Sequence, residues 1–137
     1  MTNHESILLI LIPIMIFCHV VDDYYLQGWL ASAKQKKWWK ENAPNELYKN
    51  DYKAALLVHS FSWAFSINLP ILVYALFLHI LSSIILPYFI LLVVNMIIHY
   101  IVDNLKANKL KINLIADQNI HLFQILISWA VYMFVIP

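Results

Sequence analysis

The most constraining feature of this 137-residue chain is what one stretch lacks: from Ala54 to Val102 there is no Asp, Glu, Lys or Arg. A helix needs roughly 20 apolar residues to cross a bilayer's hydrocarbon, and this stretch holds more than two such lengths. Two further apolar blocks flank it, from about Ile7 to Tyr25 and from about Ile120 to Ile136. With 62% hydrophobic and 12% charged residues, the chain lies far from the about 45–50% and about 25% of soluble domains. It has too little polar surface to cover a globule in water, which makes it an integral membrane protein. One Gly and five Pro leave no flexible linker. Lone Cys18 excludes an intrachain disulfide or a thiolate metal site, and is expected to pack as a small apolar residue. The opening MTNHES carries no Lys or Arg and no small-residue cleavage site follows, so the first block is expected to stay as a span.

The lysines set the topology. All nine fall in two polar segments, Lys34, Lys36, Lys37, Lys40, Lys49 and Lys53 in the first, Lys106, Lys109 and Lys111 in the second. The charge-free stretch reads either as two helices broken near Ser82 to Pro87, or as three short ones broken at Pro70 and Pro87. Basic loops stay in the cytoplasm, so the number of crossings between the segments is even, which selects two, with Pro70 kinking the first. The expectation is an all-α, four-transmembrane-helix bundle with spans at about 7–25, 54–81, 87–103 and 118–136. Cytoplasmic segments cover about 27–53 and 104–117, and both termini lie outside, in a cell inner or cytoplasmic membrane. Trp38, Trp39 and Tyr48 suit the headgroup level. A net charge of +1, with the lysines grouped beside spans, points to membrane lipid and to no nucleic acid as partner.

On this topology each helix carries one histidine at about the same cytoplasmic depth: His19, His59, His99 and His121. His4 and His79 fall on the far side. Three of the four have a carboxylate at i±4, which shares their helix face: Asp23, Asp103 and Asp117. Asn95 extends the His99–Asp103 stripe, and Gln124 and Ser128 extend that of Asp117–His121. A single histidine near a helix end is ordinarily interfacial or hydrogen-bonded, and Asp22 is read as a solvated bystander. Four histidines at one level, three with carboxylates, instead predict a metal site, because ionisable clusters inside a membrane are functional by default. The expected ligands are His19, Asp23, His59, His99, Asp103, Asp117 and His121. Nitrogen and oxygen donors without thiolate suit Zn, Mn or Fe(II) rather than copper(I) or an iron–sulfur cluster. Seven donors exceed one zinc's needs and would serve two metals sharing a carboxylate, or leave some residues to orient the others.

The segment His19-x3-Asp23-Tyr-Tyr-Leu-Gln27 with Trp29 and the following lysines, His59 within Leu56-Leu57-Val58-His59, His99-x3-Asp103-x2-Lys106, and Ala116-Asp117-Gln118-x2-His121 together resemble domain-of-unknown-function family 3307. These are small membrane proteins of bacteria and their phages. The resemblance covers nearly the whole chain, in the family's order; the doubled Asp22-Asp23 departs from it. The family is itself similar to membrane-bound metal-dependent hydrolases, which implies a metal and hydrolysis but no substrate.

The leading expectation is therefore a membrane-embedded hydrolase with one or two divalent metals, acting on a lipid or lipid-linked phosphate or ester. Asp23, Asp103 or Asp117 would serve as general base and Lys106 would meet an anionic group. Gln27, Asn95 and Gln118 are expected behind the ligands, hydrogen-bonding them. The rival readings are a metal or proton transporter, a haem-binding bundle, and a non-catalytic factor with a structural metal. A transporter calls for a polar route to the far side, and haem sits poorly among carboxylates.

Overall fold

The computed structural model describes residues 3–136, and among them all regular structure is helical. Four long helices, α1 (Asn3–Val20), α4 (Asp51–Phe77), α5 (Leu81–Ala107) and α6 (Leu114–Val135), form the bundle, with short α2 (Leu30–Ala33) and α3 (Lys36–Asn42) between the first two. The segments Leu9–Leu26, Glu46–Phe77, Leu81–Ala107 and Leu114–Val135 are each long and apolar enough to cross a membrane. The protein is an all-α four-helix membrane bundle. Neighbours in a ring pack together, α1 on α4, α4 on α5, α5 on α6 and α6 on α1.

Its pattern inverts that of a soluble bundle. Phe134 is 91% exposed on the outside while Asp103 is wholly buried within. Aromatic and aliphatic side chains such as Phe17, Phe77, Leu86 and Phe89 face outward, where lipid solvates them. Inside, Met15, Ile67, Ile71, Ile84 and Ile125 fill one half, and polar side chains fill the end that bears the lysines.

The charge-free stretch breaks at Leu78–Ile80 rather than at Ser82–Pro87. His79 takes a left-handed conformation (φ 57°), and the amides of His79 and Ile80 return to the carbonyls of Leu76 and Ala75, closing the helix end. α4 runs through Pro70, and Pro87 is accommodated in the second turn of α5. The side chain of His4 lies outside the described residues. At the other end, α1 continues as a π-helical stretch, Val21–Leu26. Gly28, the only glycine, then turns the chain at φ 48°, a conformation costly for any side chain. Beyond it Trp29, Trp38 and Trp39 meet edge to face and Tyr48 stacks on Trp39, an aromatic group at the lysine-bearing end.

Candidate metal centre

Every long helix delivers side chains to one buried point. His19 stands in the last turn of α1, Asp23 in the π-helical stretch, His59 near the start of α4, His99 and Asp103 near the end of α5, and Asp117 and His121 at the start of α6. All seven are buried. The π turn matters locally. Its i→i+5 bonding puts more residues in each turn, so sequence neighbours diverge less around the axis and Asp22 and Asp23 both point inward.

Asp103 is the hub. Its Oδ2 accepts from Lys34 Nζ at 2.6 Å, and lies 3.3 Å from His59 Nε2 and 3.8 Å from His99 Nε2. Its Oδ1 is 3.7 Å from His121 Nε2. On one flank His59 Nε2 is 3.4 Å from Asp23 Oδ1 and 3.1 Å from His99 Nε2. On the other, His121 Nε2 is 3.4 Å from Asp117 Oδ1. Three groupings each bring one donor atom per residue within 4.8 Å of the others: Asp23–His59–His99, His99–Asp103–His121 and Asp23–Asp117–His121.

Hydrogen bonds fix the protons. The indole N–H of Trp63 can only donate, and it reaches His19 Nδ1 at 2.7 Å. His19 therefore carries its proton on Nε2 and donates it to Gln118 Oε1 at 3.0 Å. The Gln118 amide in turn donates to Asp23 Oδ2 (2.8 Å) and Asp117 Oδ2 (3.1 Å). Deeper in the bundle, Gln124 Nε2 donates to the Asn95 carbonyls, main-chain (3.1 Å) and side-chain (3.2 Å), while Asn95 Nδ2 donates to Ser128 Oγ at 2.7 Å. Gln124 thus presents its oxygen to His121 Nδ1 at 3.2 Å, which places the proton of the neutral imidazole there. The lone pair of His121 Nε2 is left aimed at the carboxylate oxygens of Asp103 and Asp117.

This is the test of whether a cation fits, and it does. Asp103 Oδ1, Asp117 Oδ1 and His121 Nε2 are buried with no hydrogen-bond partner among the described residues, as is His99 Nδ1. Each such atom costs about 1–3 kcal/mol, and two of them, Asp103 Oδ1 and Asp117 Oδ1, lie 3.7 Å and 3.4 Å from the third, His121 Nε2. Two donors each about 2.0–2.2 Å from a tetrahedral zinc lie roughly 3.3–3.6 Å from one another. The His59–Asp103, His59–Asp23 and His121–Asp117 separations fall in that range, too long for short ionic hydrogen bonds and right for ligands sharing an ion. The buried His/Asp groups can hold a metal.

The residues read from sequence all arrive here, with differences of role. His19 has both ring nitrogens engaged, by Trp63 and Gln118, and stands behind Asp23 and Asp117. Gln27 donates to Asp23 Oδ1 (2.7 Å) and also bonds its main-chain carbonyl. Gln118 and Asn95 hold the positions just described. Lys106 pairs with Asp117 Oδ2. Asp22 is buried rather than solvated, yet outside the centre: its Oδ2 accepts from Ser62 (2.8 Å) and Ser66 (3.0 Å) of α4.

Two residues take positions in the centre that the sequence reading did not give them. Lys34 is buried against Asp103, its backbone pinned by Asn108 Nδ2 to its carbonyl (3.0 Å). Trp63, besides bonding His19, stacks on His99 with ring centroids 4.3 Å apart. Its i+4 spacing from His59 was the available signal; Lys34 had none, because a loop lysine reads as solvated. A cleft of about 400 Å³ opens beside the centre, lined among others by Asp23, Gln27, Lys34, Lys106 and Gln118. None of the protein-family models, curated proteins or solved structures compared with the chain matches it.

Proposed function

We propose that this protein is a membrane-embedded metal-dependent hydrolase whose His/Asp centre opens on the cytoplasmic interface, acting on a lipid or lipid-linked phosphate or ester. The carrying observation is that Asp103 Oδ1 and Asp117 Oδ1 both lie against His121 Nε2, all three buried without a hydrogen-bond partner among the described residues, beside a cleft. The resemblance to family 3307 supports the same chemistry. The lysines at the centre's end of the bundle support the cytoplasmic side.

Asp23, His59 and His99 would hold a cation on one flank and Asp23, Asp117 and His121 on the other, with Asp103 turning Oδ2 toward His59 and Oδ1 toward His121. The donor set suits Zn, Mn or Fe(II). A divalent metal there supplies Lewis acidity, polarising the scissile group and making water nucleophilic near neutral pH. Of the three carboxylates Asp23 faces the cleft, so it is the one placed to take a proton from the attacking water. Gln27 and Gln118 hold it in orientation. Hydrolysis then adds the hydroxyl to the acyl or phosphoryl centre and the proton to the departing oxygen.

The rival readings fare less well. Structural metal sites are closed, whereas a cleft reaches Asp23 here. The polar column beneath the centre, Gln124–Asn95–Ser128, is linked by amides, which hold their protons, so it supports His121 rather than conducting protons outward.

Elemental analysis of detergent-purified protein, beside His121→Ala, tests the reading. Stoichiometric Zn, Mn or Fe in the wild type and its loss in the variant are expected, with hydrolysis of phosphoester or lipid-ester substrates following the metal. Absence of metal from both samples overturns the proposal.

A further inference from the structure

The metal-hydrolase reading leaves the substrate's headgroup open between phosphate and neutral ester, and the cleft bears on that choice. Its inner wall carries two ammonium groups, Lys34 on Asp103 and Lys106 on Asp117. An ammonium has three donors. Each lysine shows one bond from Nζ among the described residues, leaving two hydrogens apiece beside the cavity. The Gln27 amide is engaged with Asp23 and the Gln118 amide with Asp23 and Asp117, so the lysines are the charged donors left for a ligand.

Charge points the same way. Asp23, Asp103 and Asp117 oppose Lys34 and Lys106, and three negative charges against two positive leave the centre at −1 with neutral imidazoles. Asp22 is held by Ser62 and Ser66 away from the centre and does not enter that count. One divalent cation brings the centre to +1 and two bring it to +3. Uncompensated charge is expensive among buried side chains, so the loaded centre favours an anionic ligand over a neutral one. A neutral ester supplies none. A carboxylate supplies one charge and two coplanar oxygens. A phosphoryl group carries one or two charges on oxygens arranged around a tetrahedron, which can meet metal and both ammoniums together.

We propose that this cleft is a phosphoryl-binding subsite, with Lys34 and Lys106 as its anion-binding residues and a phosphorylated amphiphile as its ligand. The rim supports the amphiphile: Tyr24, Leu110 and Leu114 line the same cleft and are exposed where the bundle meets the membrane surface, placing an apolar chain beside the headgroup. The assignment rests on the metal-hydrolase reading and narrows it.

Calorimetric titration of the metal-loaded protein with inorganic phosphate, short-chain phosphatidic acid and short-chain phosphatidylcholine tests it, with metal content measured in every sample. Wild type should bind phosphate and phosphatidic acid, and phosphatidylcholine far more weakly. Lys106→Gln keeps a hydrogen bond to Asp117 and should keep its metal, yet bind phosphate roughly ten to a hundredfold more weakly, the range for one charge-assisted hydrogen bond. Lys34→Gln should act in the same direction. Metal-loaded wild type that ignores phosphate and phosphatidic acid, or lysine variants that bind them as well as wild type, overturns the subsite alone. Protein without metal overturns the hydrolase reading and this one with it. Tighter binding of phosphatidic acid than of phosphate supports the amphiphile; equal affinities overturn that part of the assignment.

Discussion

Two buried polar regions share this bundle, and they differ in how completely their side chains are bonded. In the column below the centre, Gln124, Asn95 and Ser128 satisfy one another, and Tyr132 Oη donates to Asn68 Oδ1 at 3.0 Å. Asp22, bonded by two serine hydroxyls, belongs to the same category although it is an acid one residue from Asp23. Within the centre, by contrast, Asp103, Asp117, His99 and His121 all keep a buried atom without a partner. Apart from these four, only the Tyr88 hydroxyl is left so among the described residues. Buried polarity alone is therefore no signature of function inside a membrane. The signature is unpartnered polar atoms brought together, an arrangement that calls for an explanation and that a bound cation would supply.

The hardest test of this contrast is Asp103→Asn. It replaces one of the two oxygens that Asp103 turns to the two flanks and leaves the buried Lys34 ammonium without its counter-charge. Metal should fall below detection by elemental analysis. The cost to thermal stability in detergent should be about 3–5 kcal/mol, the range for breaking a buried pair. A variant that keeps its metal would show that the centre is not where the metal binds. Next in size is Gln124→Leu, which removes no proposed ligand but takes away the partner of one. Losing the acceptor on His121 Nδ1 frees the tautomer, and metal affinity measured by chelator competition should fall about 10–100-fold. Unchanged affinity would reduce the column to packing.

Much of this was legible in the chain. A charge-free stretch bounded by lysines admits few topologies, and i, i+4 spacing put Asp103 beside His99 and Asp117 beside His121, while Asp23 meets His59 rather than His19. What escaped depends on tertiary contacts. The helix break at His79 relies on a left-handed residue that is neither Gly nor Asn, so nothing local announced it. Lys34 is buried because Asn108 ties α2 to the end of α5, a contact between residues far apart in sequence. The π-helical winding moved Asp22 inward, where α-helical geometry left it as a bystander. Whether His19 ligates or supports turned on the indole of Trp63, which pattern alone ranks as core.

Asp22→Asn sharpens the comparison between adjacent acids. The amide still accepts from Ser62 or Ser66, so metal affinity should stay within about twofold and stability should change by about 1–2 kcal/mol. Loss of metal in this variant would erase the distinction drawn between Asp22 and Asp23.

The smallest effect belongs to the fully bonded column at its far end. Tyr132→Phe deletes one hydroxyl and leaves the ring among its apolar neighbours, and Asn68 keeps its bond to the Ala64 carbonyl at 2.7 Å. The Asn68 side-chain oxygen loses a donor, for which about 1 kcal/mol is expected in thermal unfolding, with metal content and chelator competition unmoved. The pair lies one helical turn beyond Ser128, and no bond among the described residues links Ser128 to Tyr132. That gap is why the effect should stop there. Were Tyr132→Phe to weaken the metal as Gln124→Leu is expected to, the column would be one continuous support running from the centre to the far half of the bundle, and the division between the two polar regions would have to be redrawn.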